Sequence, residues 1–500
     1  MAEDAILAID AGTTGVTALL VDHDGAVQAQ GHRDLTQYYP RPGWVEQDAG
    51  EIWEASLAAA AEALAKAPSY RPVAVGVANQ RETLLFWDRR SAEPLHRAIV
   101  WQCRRSESIC QELRAAGLEP DIASKTGLRL DPYFSGTKAL WLSRRDESLR
   151  RGIDAGTVCF GTVDSWLAWR LSGGACHVTD VTNASRTLCY DIDRLAWDEE
   201  LLSLFGLNLA AMPEVRPSAF RYGVTIASAA LPSGLPIAAL VGDQQAAAFG
   251  QACFRPGMTK ATYGTGCFIL MSTGEKRFDS KRGLLTTLAA QVGAATPRYA
   301  LEGSIFVAGA AVQWCRDNLG IVADAEDAER MAAAVPDAAG VVFVPAFAGL
   351  GSPHWGPDVR GSIYGLTGAS QKAHVVRAAV DCMAFQAQDV LDVMVEETGL
   401  AATELRVDGG AAANDRLMQL QADLAGVATS RPESVESTGL GAAYLAGLTV
   451  GFWRDEAEIA SLRRESSRIE PSARAETAKA EYGRWKLAIS GLLETQLPPV

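Results

Sequence analysis

Nothing in the chain approaches the roughly 18 consecutive apolar residues that a membrane-spanning helix needs. The opening MAEDAILAID carries acids where a secretory leader needs positive charge, and its apolar run reads as a strand. No CxxC pair occurs among the nine cysteines, which stand singly and are odd in number. A disulfide framework and a structural zinc site are thereby excluded, and a reducing compartment is implied. The six histidines show no metal-ligand spacing. Positive charge is in deficit, 46 Lys and Arg against 60 Asp and Glu, for a net −14. Nucleic acid and anionic membranes, which need a basic footprint, are poor partners for such a chain. Together these absences predict a cytoplasmic protein without membrane insertion, and they leave homo-oligomerisation open.

What is present is a globular composition, 48% apolar and 21% charged over 500 residues. That length predicts two domains rather than one core. Strand-like runs at 73–77, 84–87, 98–101, 237–241, 259–263, 341–344 and 405–408 alternate with helical patterns at 51–66, 106–116, 244–251, 326–334, 374–398, 415–425 and 475–493. This interleaving indicates α/β architecture, and an opening hairpin makes the sheet mixed rather than purely parallel. The hairpin, AILAIDAGTTGVTALLV, has a faint echo in MTKATYGTGCFILMSTG at 258–274. Two similar halves follow from that echo, divided near residue 250 after the LPSGLP segment: 1–250 and 251–500. Past residue 455 the chain is a charged, helical tail.

Three segments bear chemistry. The turn Gly12-Thr13-Thr14-Gly15 lacks the Gly-Lys-Ser/Thr of a Walker A loop. Its glycines, N–H groups and hydroxyls can nevertheless cradle an anion, with Asp10 at the strand end holding Mg²⁺ through water. A plain turn is the competing reading. In VANQRETLLFW, Arg81 and Glu82 could grip neighbouring hydroxyls of a polyol against Trp101 and Tyr133, or form an ordinary salt bridge beside core aromatics. In LVGDQQAAAFG, Asp243 stands between a strand and a helix, as an N-cap or as a base for a substrate hydroxyl. The turn containing Thr265 and Gly266, and Asp408-Gly409-Gly410 leading to Asn414, offer further backbone for a nucleotide.

The segments GVANQRETLLFWD, AIVWQCRR, LDPYFSGTKALW, DVTNASRTL, GDQQAAAFGQ, TYGTGCFILMSTGEK, VPAFAGLGSPHW and LRVDGGAAANDRLMQLQAD, in this order, resemble the glycerol-kinase branch of the FGGY carbohydrate-kinase family. GSIYGLTGASQKAHVVRAAVD is similar to the wider family's C-terminal signature, and the likeness runs from about residue 5 to 452. The resemblance implies two actin-like (ribonuclease-H-like) domains, each a mixed five-stranded sheet flanked by helices, closing on ATP and substrate in a central cleft. Most of the polyol site would lie in the first domain and most of the nucleotide site in the second. It implies ATP and Mg²⁺ as cofactors and glycerol, or another small polyol, as partner. Gly12, Thr13, Thr14, Thr265, Gly266, Gly309, Gln313, Gly410 and Asn414 become nucleotide contacts. Arg81, Glu82, Trp101, Tyr133, Asp243 and Phe268 become polyol contacts. Asp10 and Asp243 serve the metal, and Asp243 is the base that deprotonates the attacking hydroxyl.

Two departures qualify the likeness. Glycerol kinases commonly read GTTSSR at the first loop, where this chain has Thr17 in place of the basic residue. The short segment VTIASAALPSGLPIAAL lacks the loop that serves fructose-1,6-bisphosphate in some members, and PSAFRYG lacks a phosphorylatable histidine, so neither regulator is expected. The rival readings are a kinase of erythritol or xylulose and, from another class, an actin- or Hsp70-like ATPase that needs no polyol.

Overall fold

The structure is a computed structural model and describes residues 2–494 except Ala229, Ala295 and Ala348. Two compact units emerge: residues 1–252 with 286–299 and 436–463, and residues 253–285 with 300–435 and 464–500. The chain therefore leaves the first unit at residue 253 and returns to it twice.

The first unit is built on a sheet in the order Ala219–Val224, Pro236–Gly242, Tyr70–Asn79, Glu3–Ala11, Gly15–Val21, Val27–Asp34. Ile6, Leu7, Ala8 and Ile9 are all buried, the mark of a strand covered on both faces. Glu3–Ala11 pairs antiparallel with Gly15–Val21, placing Asp10 opposite Thr17, and parallel with Tyr70–Asn79, placing Ala11 opposite Asn79. Pro236–Gly242 continues the parallel set, with Gly242 opposite Asn79. Three parallel strands thus end level with one another, at Ala11, Asn79 and Gly242. The region beyond the carboxyl ends of parallel strands is where open α/β sheets bind ligands.

Helix Ala49–Lys66 starts at Asp48, whose side chain accepts from the N–H groups of Gly50 and Glu51, and its Ala-rich stripe packs on strands Gly15–Val21 and Val27–Asp34. Helix Ser437–Val450 packs on Glu3–Ala11, Tyr70–Asn79 and Pro236–Gly242 and on helix Asp243–Gly250. Its small residues permit that close seating. A minor sheet orders Glu46–Gln47, Ala98–Ile99, Leu84–Asp88 and Val158–Thr162, and so holds the chain after Gln80-Arg81-Glu82, as the main sheet holds it before.

The second unit repeats the pattern in the order Tyr299–Ile305, Cys267–Gly274, Thr259–Tyr263, Leu405–Asp408, Thr429–Pro432, Glu465–Ile469. Again a hairpin is followed by two parallel additions and an antiparallel edge strand. The echo between 5–21 and 258–274 is this duplication, and neither sheet stops at the expected five strands. The tail is more than a charged helix. Glu465–Ile469 completes the sheet, and helix Ala475–Glu494 buries Tyr482 and Trp485. Both aromatic side chains donate to Asp389 at 2.7 Å, from the 27-residue helix Lys372–Thr398.

Candidate active site

In the first unit the level strand ends bring together Asp10, the Gly12–Gly15 turn, Gln80-Arg81-Glu82 and Asp243. Arg81 is buried, and its Nε lies 3.2 Å from Asp243 Oδ1. It also donates to Gln245 Oε1 at 3.1 Å and to the Tyr133 hydroxyl at 3.4 Å. Gly242 permits this crossing, because a Cβ there would stand 2.6 Å from the Arg81 side chain. Asp243 is not the N-cap. Gly242 occupies that position with no side-chain cap, and Asp243 is the first helical residue, accepting from the Gln244 N–H at 2.7 Å. Its carboxylate is thus held at a helix N-terminus beside a guanidinium, and about a quarter of its side chain (27%) remains open to solvent.

Glu82 has φ 61°, an unusual backbone for a residue with a side chain, between two strands that constrain it. Its Oε1 accepts from Arg186 Nε at 2.6 Å, and both residues are buried. The Arg186 guanidinium lies over the rings of Tyr133 and Phe134. Arg186, in the segment DVTNASRTL, received no role from the sequence. An arginine isolated among small and hydroxyl residues was the available signal. Gln245 was missed likewise, and it donates to Thr287 Oγ1 and the Leu288 carbonyl in the returning segment 286–299.

Trp101 and Tyr133 form a wall. Trp101 Nε1 donates to Thr13 Oγ1 at 2.9 Å, and the two rings meet edge to face at 5.5 Å. Behind them Lys138, fully buried, donates to the carbonyls of Tyr133 at 2.5 Å and Trp101 at 3.5 Å, and burial lowers its ammonium to about 8. The turn itself is tied down through its carbonyls: Gln80 donates to Gly12, Gln47 to Thr13, and the Leu35 N–H to Thr14. Carbonyls so engaged leave the turn's N–H groups and hydroxyls for a ligand, and the Thr14 side chain is exposed.

Asp10 Oδ1 is buried and accepts no hydrogen bond. Burial, then the neighbouring Asp243 and Glu436 carboxylates, push the Asp10 carboxyl up to about 8. An unsatisfied carboxylate oxygen among like charges fits a cation. No group of three His, Cys, Asp or Glu side chains is arranged for a metal among the described residues. A cation here would accordingly lean on one or two carboxylates and on water, the magnesium pattern.

In the second unit, Thr265, Gly309, Gln313, Gly410 and Asn414 line one cavity of about 470 Å³. Asn414 caps helix Asp415–Ala425, accepting from the Leu417 N–H at 2.9 Å. The Thr265 carbonyl accepts from the N–H groups of Ala308 and Ala310, which docks the 264–266 turn onto the start of helix Gly309–Asp317. Gly266 packs against the Ile305 carbonyl, and Phe268 lies on strand Cys267–Gly274 opposite Thr262. Val312, Val380, Met383 and Ala411 give the cavity an apolar side suited to a base, and its glycine-lined side is suited to phosphate.

Residues 5–250 match the N-terminal domain, and residues 259–450 the C-terminal domain, of the FGGY family of carbohydrate kinases. A glycerol kinase of Carboxydothermus hydrogenoformans is 48% identical over 500 residues, covering 99% of this chain and 100% of that protein. Glycerol kinase 2 of Thermotoga maritima is 50% identical over 488 residues, covering 97% and 98%. Among solved structures, Plasmodium falciparum glycerol kinase with ADP superposes with a TM-score of 0.92 at 35% identity, covering 99% of each chain. Xylulose kinase from Lactobacillus acidophilus, at 22% identity and a TM-score of 0.88 over 99% of each chain, shares the fold.

Proposed function

The chain belongs to the FGGY family of carbohydrate kinases, and from that premise we propose that it transfers the γ-phosphoryl group of ATP to glycerol, giving sn-glycerol 3-phosphate. The observation that carries the reading is the chain Arg186–Glu82–Arg81–Asp243, alternating in charge and walled by Trp101 and Tyr133. It is too elaborate for a bare ATPase. Glu82 and the Arg81 guanidinium bind adjacent hydroxyls, and the aromatic wall takes the C–H side of the polyol. Asp243 accepts the proton of the attacking hydroxyl, while Arg81 and the Gln244 N–H hold its carboxylate in place. The cavity of the second unit binds the nucleotide, and the Gly12–Gly15 turn offers its N–H groups and hydroxyls to phosphate. Asp10, with Asp243 beside it, holds Mg²⁺, which when bound offsets the charge of the phosphates. Most of the rate then comes from positioning and fixed charge rather than covalent chemistry. No helix among the described residues is long and apolar enough to cross a membrane, and the scattered free cysteines fit our placement of the enzyme in the cytoplasm.

The test is Mg-ATP-dependent ADP release with glycerol, erythritol, xylulose or gluconate, each product identified by mass. Glycerol is expected to stimulate far more than the others, because a site that hydrogen-bonds each hydroxyl rejects poorly matched analogues by up to roughly 10⁴-fold. Hydrolysis without a phosphorylated polyol would overturn the kinase reading. A clear preference for erythritol or xylulose would overturn the assignment of the polyol alone.

A further inference from the structure

Thr17 leaves the second strand without a cation beside the Gly12–Gly15 turn, yet the groups facing the strand ends there, Asp10, Asp243 and Glu436, are acidic. The register supplies an answer on the next strand. Asp10 pairs with Thr17 and Thr17 with His32, so the three side chains form one row on one face of the sheet. Strands lie ~4.8 Å apart, which puts the His32 backbone about 10 Å from that of Asp10, within reach of a polyphosphate lying along the turn. Thr17 Oγ1 lies 3.0 Å from His32 Nδ1 and fixes the ring. A Cβ on Gly15 would come within 2.7 Å of His32 Cε1, so the imidazole lies directly against the last residue of the turn. Arg33 cannot substitute, since its side chain points to the opposite face and pairs with Glu62 of helix Ala49–Lys66. His32 is half exposed (52%), and its carboxylate neighbour Asp34, 3.3 Å away, is almost fully exposed and so a weak competitor for the ring.

We propose that His32, held by Thr17, is the cationic phosphate contact of the Gly12–Gly15 turn and sets the affinity for the nucleotide's phosphates. This rests on the reading of that turn as a nucleotide loop. It does not depend on which polyol is phosphorylated.

Calorimetric titration of the full-length protein with Mg-ATP and with adenosine, without polyol and at pH 6, tests it. His32→Gln is expected to weaken Mg-ATP binding about fivefold, the effect of one charge-assisted contact discounted for exposure. His32→Glu should weaken it by more than tenfold, and His32→Lys should bind at least as tightly as the wild type. Adenosine, which has no phosphate, should bind all four proteins within about twofold of one another. Unchanged Mg-ATP affinity in His32→Glu would overturn the proposal, as would a parallel loss of adenosine binding, which would mark a purely structural residue. Because no polyol is present, failure of glycerol turnover and failure of this contact are separate results.

Discussion

Replacing Arg186 by Met removes the donor that holds Glu82 Oε1 at 2.6 Å in a site where both side chains are buried. Arg81 Nε stands 3.8 Å from the same oxygen, beyond hydrogen-bond distance. A buried carboxylate deprived of its hydrogen-bonded partner typically costs about 3–5 kcal/mol. The lost cover over the Tyr133 and Phe134 rings adds roughly 1 kcal/mol. Urea unfolding of Arg186→Met at pH 7 should therefore show a loss of about 4–6 kcal/mol. The double variant Arg186→Met, Glu82→Leu should regain most of it, since replacing both charges by apolar groups removes the desolvation cost that stranding one of them incurs. Activity should separate from stability. The single variant raises KM for glycerol by more than tenfold with KM for ATP little changed, and the restabilised double variant stays inactive because Glu82 is gone. A stability loss below 1 kcal/mol in Arg186→Met, or activity that returns with stability in the double variant, would refute this reasoning.

Other expectations follow from the same geometry. Asp10 has its carboxyl raised to about 8 from 3.8, so the native state holds a proton that the unfolded chain releases. Stability from this group is full below pH 4 and is lost as pH rises toward 8. Without Mg²⁺ and nucleotide, Asp10→Asn should therefore match the wild type near pH 4 and exceed it by on the order of 5 kcal/mol at pH 8. Equal urea midpoints at both pH values would contradict that account, and the variant should lose Mg-ATP-dependent turnover. Gly242→Ala places a Cβ 2.6 Å from the Arg81 side chain. It should cost about 1–3 kcal/mol by overpacking and lower kcat/KM by displacing Arg81 from Asp243, and wild-type kinetics in that variant would mean that Arg81 can leave this position at no cost.

The parts of the molecule that could be read from sequence are those whose signal is local. The Gly12–Gly15 hairpin and its echo at Gly264–Gly266 announce themselves by apolar strands broken at glycine. Helix Asp415–Ala425 and strands Thr259–Tyr263 and Leu405–Asp408 fall where the pattern puts them. Arg81, Glu82 and Asp243 were visible because polar residues interrupt apolar runs at strand ends. What stayed hidden is non-local. Arg186 reaches Glu82 across 104 positions, and Gln245 finds Thr287 only because segment 286–299 returns to the first unit. Helix Ser437–Val450 is small and apolar almost all round, so nothing in its own residues says which sheet it covers. Glu465–Ile469 is too polar to read as a strand, since one sheet neighbour and a solvated edge are all it needs. Gly242 took the capping position from Asp243 because the strand must end on a residue that leaves room for Arg81.

The central claim is that Asp243 takes the proton from the attacking hydroxyl of glycerol. Single-turnover phosphoryl transfer from labelled ATP to glycerol, wild type against Asp243→Asn with both substrates saturating, measures that step most directly. Asp243→Asn should slow transfer by about 10²–10⁴-fold, the usual weight of a positioned base, while both ligands still bind within about threefold of the wild type. Transfer within tenfold of the wild-type rate would contradict it, and the base would have to be sought elsewhere.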